Sequence, residues 1–204
     1  MVKAPAENPD ITFAWKVPKI EPNDLNAIDP YALSVLSAIL DGHSNSRLNR
    51  QLVKDQRLAD GVDASYGMSG RGPQLFSISA SPAKGKSLTV IEENIRKILA
   101  DIKTKGVTNT ELDRVKSQLI SSQIYKRDSI FAQAMEVGIA EMNGISWKYL
   151  DDMLLNVQKV QSEDIQRVVG KYLIDDSLTV AVLDPQAIQK KPAGTQAKPA
   201  GMRH

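Results

Sequence analysis

Residues 29–42, with the sequence DPYALSVLSAILDG, are the stretch that decides the fold. Asp29 offers an acceptor for a helix N-terminus, and Pro30 suits the first helical position because its missing N–H needs no partner there. The leucines at positions 33, 36 and 40 recur at helical spacing, and Gly42 ends the run. The stretch therefore predicts an amphipathic helix. A second, shorter helix is predicted over residues 46–53, where two leucines lie one turn apart.

Four other runs have the patterns of β-strands. Residues 11–17 alternate apolar and polar side chains up to Pro18. Residues 58–69 and 75–80 alternate in the same way, and the Gly and Pro residues between them predict an antiparallel hairpin. Residues 178–183 are almost entirely apolar, which predicts a strand in the middle of a sheet.

The middle of the chain has the period of helices. Thr108 and Glu111 match a capping box, which begins a predicted helix of over thirty residues that bends near residues 128–129. Strands and helices that do not alternate strictly predict an α+β fold, with an antiparallel sheet and helices packed on one face. The predicted helices cover residues 88–105, 108–142, 147–157 and 162–173. The long one keeps Leu112, Val115, Leu119, Ile124, Phe131, Met135, Ile139 and Met142 in one helical phase.

Composition divides the chain into three segments. Residues 1–10 are polar with two prolines and predict a flexible lead-in, whereas residues 11–185 predict one α+β domain. Residues 186–204 have little to bury and predict a disordered basic tail. The chain has 26 Lys+Arg and 24 Asp+Glu, and four of the basic residues lie in this tail, so the remainder is slightly acidic.

This composition excludes several classes of function. Without a basic stripe interleaved with aromatic residues, nucleic-acid binding is not expected. No apolar run approaches the roughly 20 residues of a membrane span. The absence of Cys excludes a thiolate nucleophile and a Cys-ligated zinc site, and the chain has two histidines, His43 and His204. We therefore expect no catalytic zinc to be held by this chain.

Two glycine-containing loops remain as candidate sites. Residues 42–47 offer backbone amides to an anion or a peptide carbonyl, but a helix stop followed by a new N-cap is the simpler interpretation, with His43 an ordinary loop residue. Residues 70–72 lie between two predicted strands, where a dinucleotide fingerprint needs a helix to follow. A turn is therefore predicted there.

Taken in order, these landmarks resemble a known family. Residues 29–42, continued by residues 46–48 and by Leu52, 58–59 and Val62, resemble the non-catalytic half of the pitrilysin and mitochondrial-processing-peptidase family of zinc metallopeptidases. The similarity continues in register to residue 185. Its later landmarks are TELDRVK at residues 110–116, VQSEDIQRV at residues 160–168 and the closing strand at residues 178–183.

The resemblance implies a clamshell of two related α+β halves. Zinc is then expected in an N-terminal half that precedes this one, on an inverted H-x-x-E-H motif that this chain lacks. Many members carry an Arg after the helix leucine and a Tyr seven residues later, which hold the substrate across the cavity. These positions are Val53 and Asp60 here, and neither side chain replaces a guanidinium fork or a phenol. A homologous partner subunit is then expected to supply the pair.

Three hypotheses of function follow. The first is a C-terminal domain of a zinc endopeptidase, inactive alone, which closes the chamber and aligns unstructured peptide substrates at a sheet edge. The second is a structural or assembly subunit of the same fold without peptidase activity. The third is an unrelated binding module that uses the basic tail on an anionic surface. A bacterial periplasm would suit the absence of Cys and the resemblance to exported bacterial members.

Overall fold

The computed structural model describes residues 1–187, and the five strands found among them form one sheet. These strands are β1 (Val2–Pro5), β2 (Asp10–Val17), β3 (Ala59–Tyr66), β4 (Gln74–Pro82) and β5 (Leu178–Gln186). Their order across the sheet is β1-β5-β2-β4-β3. All neighbours pair antiparallel except β1, which runs parallel to β5. The α+β prediction is confirmed, and β5 has a neighbour on each side as predicted.

The N-terminal edge of the sheet differs from the prediction. Residues 1–10 were expected to be a flexible lead-in, but Val2–Pro5 pair along β5 from Val2 opposite Leu183 to Pro5 opposite Gln186. The sheet is therefore mixed rather than wholly antiparallel. Backbone pairing holds this strand while its side chains stay largely exposed. At four residues, ending in a proline, it is too short for a sequence pattern to reveal it. The predicted tail lies outside the described residues, apart from Gln186 and Ala187.

Alternation along β2 explains why this strand is central. Ile11, Phe13, Trp15 and Val17 are buried on one face of the sheet, because successive side chains in a strand point to opposite sides. Phe76 and Ile78 of β4 lie opposite Trp15 and Phe13 and extend the same buried face. The other face carries small side chains that are half-buried or exposed. They include Thr12, Ala14, Ser77, Ser79, Thr179 and Ala181.

Helices cover the buried face of the sheet. They are α1 (Ile28–Asp41), α2 (Leu88–Lys105), α3 (Asn109–Lys126), α4 (Ile130–Met142), α5 (Leu150–Lys159) and α6 (Ser162–Tyr172). A π-helical segment, Asn49–Asp55, lies between α1 and β3, and 3-10 turns occupy Trp147–Tyr149 and Asp175–Ser177. Among residues 1–187, no helix combines the length and apolar character needed to cross a bilayer.

The start of α1 corrects one detail of the prediction. The N-cap position is Ala27, so Asp29 lies within the first turn instead of capping the helix. Its carboxylate accepts hydrogen bonds from Arg167, from Lys171 at 3.1 Å and from the Tyr172 hydroxyl at 2.6 Å. Asp29 therefore ties α1 to α6, which lies beside it. A carboxylate in a first turn also suits the positive end of the helix dipole.

The predicted long helix is two helices. α3 ends at Lys126 and α4 begins after Ser129, whose Oγ accepts from the Ala132 amide at 3.2 Å. The expected bend near residues 128–129 is therefore a break with a new N-cap. The predicted capping box at the start of α3 is half formed, because the Thr108 Oγ1 accepts from the Glu111 amide while the Glu111 carboxylate bonds to Arg47.

Candidate functional site

The two positions indicated by the family resemblance lie on either side of one tight turn. Val53 belongs to the π-helical segment and Asp60 to the start of β3. Between them the Leu58 amide donates to the Leu52 carbonyl at 2.7 Å, and Arg57 adopts a left-handed backbone conformation with φ 48°. A residue with a Cβ is uncommon in that region, so the turn is a strained connection.

Neither side chain at these two positions supplies a hydrogen-bond donor. Val53 is half-buried and packs against the core, whereas Asp60 is exposed. The register between β3 and β4 shifts between Ala59 and Gly61, which makes Asp60 the extra residue of a β-bulge. An ionised carboxylate only accepts hydrogen bonds. The pair as it stands here therefore cannot bind a peptide carbonyl as a guanidinium and a phenol would.

The outer edge of β3 is partly closed by α1. The Ala64 amide donates to the Asp41 carboxylate at 3.2 Å, and the Ala64 carbonyl accepts from the Ser37 hydroxyl at 2.9 Å. Asn49 donates to the same carboxylate at 2.5 Å. Burial raises the pKa of Asp41 despite the hydrogen bonds from Ala64 and Asn49. Both backbone groups of Ala64 are thus already bonded where an added strand would need them. Sequence patterns gave no signal of this contact, since it joins residues far apart in the chain.

A half-buried ion pair joins the residues just before the π-helical segment to α3. Arg47 donates to both carboxylate oxygens of Glu111, through Nε at 2.9 Å and Nη2 at 2.6 Å. The two side chains are 15% and 17% exposed. Bidentate geometry of this kind fixes the direction of both side chains. The segment that carries Val53 is therefore held rigidly against the N-terminus of α3.

The glycine loops form turns, as the simpler interpretations predicted. In the first loop, the His43 Nδ1 accepts a hydrogen bond from the Asn45 amide at 2.9 Å. Its Nε2 is buried with no hydrogen-bond partner among the described residues. Burial, followed by the charges of Arg114 and Lys54, lowers the pKa of His43. Residues 70–72 connect β3 to β4, so no helix follows them and a dinucleotide site is excluded there.

The apolar surface of α4 is the largest difference between the structure and the helix pattern predicted from the sequence. Phe131, Met135, Ile139 and Met142 follow one another at steps of 4, 4 and 3 residues and therefore share one helical face, here called the α4 face. They are 76%, 49%, 47% and 65% exposed, respectively, whereas Ala140 is the residue of α4 that is buried. The sequence places these four in phase with the buried residues of α3. Because α4 is a separate helix, that phase does not carry over.

The α4 face borders a groove. Met135 and Ile139 line one side of a cavity of about 420 Å³ whose other side includes Met68, Leu150 and Met153. Exposed contiguous apolar surface on a soluble domain marks a contact with another molecule or domain. A signal existed in the sequence, because apolar residues occur around most of the α4 circumference, more than one buried stripe needs.

The described residues do not fit a zinc ion. Within residues 1–187, no three His, Cys, Asp or Glu side chains converge in a way that could hold a metal. A structural or catalytic zinc site needs at least three such ligands from the protein.

The chain is similar to known proteins in both sequence and structure. Residues 1–119 match the family model described as the peptidase M16 inactive domain. The chain is 27% identical over 157 residues to the uncharacterized zinc protease YmxG of Bacillus subtilis (strain 168), which covers 76% of this chain. A protease from Helicobacter pylori superposes with a TM-score of 0.82 at 22% identity over 90% of this chain. An inactive peptidase domain from Bordetella parapertussis superposes with a TM-score of 0.77 at 19% identity and covers 93% of this chain.

These matches differ in how much of each protein they include. The chain spans 37% of the Bacillus subtilis relative and 43% of the Helicobacter pylori chain. It spans 97% of the Bordetella parapertussis domain. What is described here thus corresponds to one domain within the longer relatives.

Proposed function

Because the chain belongs to the family of peptidase M16 inactive domains, we propose that it is the non-catalytic C-terminal domain of a zinc metalloendopeptidase. In this proposal it closes the substrate chamber against a zinc-bearing half and helps to bind unstructured peptides. The zinc-bearing half precedes it in the parent chain, and a homologous partner subunit supplies the donors that Val53 and Asp60 cannot. The domain alone hydrolyses nothing.

The α4 face is the observation that carries this proposal. Four large apolar side chains at 47–76% exposure are costly in water, since each Å² of apolar surface removed from water is worth about 25 cal/mol. A domain that functions inside a larger assembly would bury them against its neighbour. We therefore place the contact with the zinc-bearing half at this face.

The hydrogen bonds already made at the edge of β3 limit the ways in which a peptide could bind there. Strand addition at this edge would displace the hydrogen bonds that Ala64 makes to Asp41 and Ser37. That exchange gains little, because a net hydrogen bond contributes only about 1 kcal/mol. Side chains near the π-helical segment are then a better place for peptide contacts than the backbone of β3 at Ala64.

Reconstitution of the two halves tests the proposal. This chain would be mixed with the zinc-bearing half of its parent protein and with the partner subunit, and hydrolysis of an internally quenched, unstructured peptide would be followed. We expect no hydrolysis by this chain alone and hydrolysis by the complex. Stoichiometric zinc in the isolated chain, or peptidase activity that is the same with and without it, would refute the proposal.

Interface variants locate the contact. Phe131→Asp and Met135→Asp should weaken association with the zinc-bearing half by at least about tenfold, because an acid at a buried apolar contact cannot be paired. Val90→Asp on α2 is the matched control, since Val90 is an exposed apolar residue at 38%. It should leave association unchanged. Equal effects of the three substitutions would place the contact elsewhere.

The alternative is a structural or assembly subunit of the same fold. Val53 and Asp60 favour it, because a chain without peptidase activity has no need of the donors at these positions. The same reconstitution distinguishes the two functions. A stable complex that binds no zinc and cleaves no peptide would select the assembly role.

A further inference from the structure

A polar cavity lies between the π-helical segment and the start of α3. Its volume is about 420 Å³, and three arginines line it, namely Arg47, Arg50 and Arg114. Arg47 is neutralised by its bidentate pair with Glu111. Glu111 is also the acid among the residues that line this cavity. The local charge is therefore set by the two other arginines.

Arg50 and Arg114 carry charges that the described residues do not neutralise. Within residues 1–187, neither of them has a carboxylate oxygen within 4.0 Å, although nine such contacts form between other residues, including the pair of Arg47 and Glu111 in this cavity. A third cation, Lys54, bonds to the Asn45 amide oxygen at 2.8 Å and so lies beside the same cavity. The lowered pKa of nearby His43, where the charges of Arg114 and Lys54 add to the effect of burial, is consistent with a positive local potential.

The geometry points to a site for a peptide carboxylate, held between the guanidinium groups of Arg50 and Arg114. A guanidinium presents N–H groups in a planar fork that matches two carboxylate oxygens. Arg50 lies on one wall, on the same segment as Val53, and Arg114 lies on the other, on α3. The bidentate pair between Arg47 and Glu111 holds these two walls together, so the backbones that carry Arg50 and Arg114 keep a fixed spacing.

The site rests on the proposed function for its ligand, because a domain that helps bind peptide substrates would present this cavity to them. Hydrolysed or unstructured peptides carry carboxylates of two kinds, at the C-terminus and on Asp or Glu side chains. Their chemistry at the cavity is the same. A bound carboxylate would also fix one end of a peptide without using the edge of β3.

Binding to the 204-residue chain tests this inference with three fluorescein-labelled ten-residue peptides of Ala, Gln and Ser. One has a free C-terminal carboxylate, one is amidated, and one is amidated with a single central Glu. Fluorescence anisotropy at low salt should detect the first or the third peptide, and which of them binds identifies the carboxylate that is recognised. The amidated peptide without Glu should bind at least about tenfold more weakly.

Charge variants connect binding to the cavity. Arg50→Gln and Arg114→Gln should each weaken binding by about tenfold, and Arg114→Lys should restore part of the loss, since it keeps the charge but not the fork. Lys97→Gln on α2 removes the same charge from an exposed position away from the cavity and should change nothing. The three side chains changed in these variants are exposed, so a matched urea midpoint can confirm folding.

Three results would overturn the inference: no binding of any of the peptides, equal binding of the amidated peptide, or equal effects of Lys97→Gln and the arginine variants. Failure of the site and failure of the proposed function remain distinguishable. A complex that cleaves peptides while the arginine variants bind normally removes only the site. Carboxylate binding that depends on both arginines, without assembly or cleavage, removes only the proposed function.

Discussion

The helices α1 and α4 have similar apolar content, but α1 buries its apolar side chains and α4 exposes most of them. α1 buries Tyr31, Leu33, Leu36, Ile39 and Leu40 against the sheet and its neighbouring helices. α4 buries Ala140 and exposes the four large side chains of the α4 face. Apolar residues are thus buried where a complementary surface is present, and hydrophobicity alone does not create one. The difference supports the proposal that the zinc-bearing half covers α4.

The largest effect is expected from truncation of the α1 face. Leu36→Ala should lower the free energy of unfolding by about 2–5 kcal/mol, because it removes methyl groups at a fully buried position and leaves a cavity. Urea unfolding followed by circular dichroism would measure the loss. A cost below about 1 kcal/mol would mean that α1 packs loosely and that the comparison with α4 is much weaker than the burial values imply.

The same two helices show how much of the structure the sequence could predict. The α1 pattern has the period of a helix and ends at Gly42, so its position could be predicted within one residue. β2 and β5 could also be predicted, because each has the pattern of a strand within its own residues. Periodicity reports which residues share a face, but it does not report whether that face finds a partner. The exposure of the α4 face was therefore beyond it.

The missed contacts share one property. β1 pairs with a strand about 180 positions later, and Asp41 reaches the edge of β3 at Ala64. The cavity at Arg50 and Arg114 likewise joins two elements that are separated in the chain by the whole β3–β4 hairpin and α2. Such contacts depend on topology, for which one sequence offers no direct signal. Positions 53 and 60 were locatable only through the family resemblance.

A smaller effect is expected from the charges that hold α1 in place. Burial alone would raise the pKa of Asp29, but hydrogen bonds from Tyr172, Arg167 and Lys171 outweigh it and hold the pKa below its ordinary value of 3.8. Just below that pH the unfolded chain binds a proton at Asp29 that the folded chain does not. The stabilisation of the folded state by ionised Asp29 is therefore present at higher pH and is lost as pH falls through the folded pKa.

Two carboxylates on α1 should therefore give opposite acid responses. Asp29→Asn should flatten the loss of stability that sets in as pH falls below the ordinary pKa of 3.8. Asp41→Asn should remove a loss that sets in as pH rises above 3.8 through the folded pKa of Asp41, because burial raises that pKa. Urea midpoints recorded from neutral to acidic pH would show both slopes. Identical profiles for the two variants would contradict the assignment of opposite shifts.

The smallest effect on stability is expected at α4, and it is the most informative for the comparison. Met135→Ser should change the free energy of unfolding of the isolated chain by no more than about 0.5 kcal/mol, because the side chain is already half exposed in the folded state. It should also reduce binding of the dye ANS, which reports accessible apolar surface. A loss above about 1 kcal/mol that grows with protein concentration would show that two copies of the chain bury this face against each other. In that case the partner of α4 would be a second copy of the chain. The two helices would then differ in the step that buries them, because α1 is buried on folding and α4 would be buried on association.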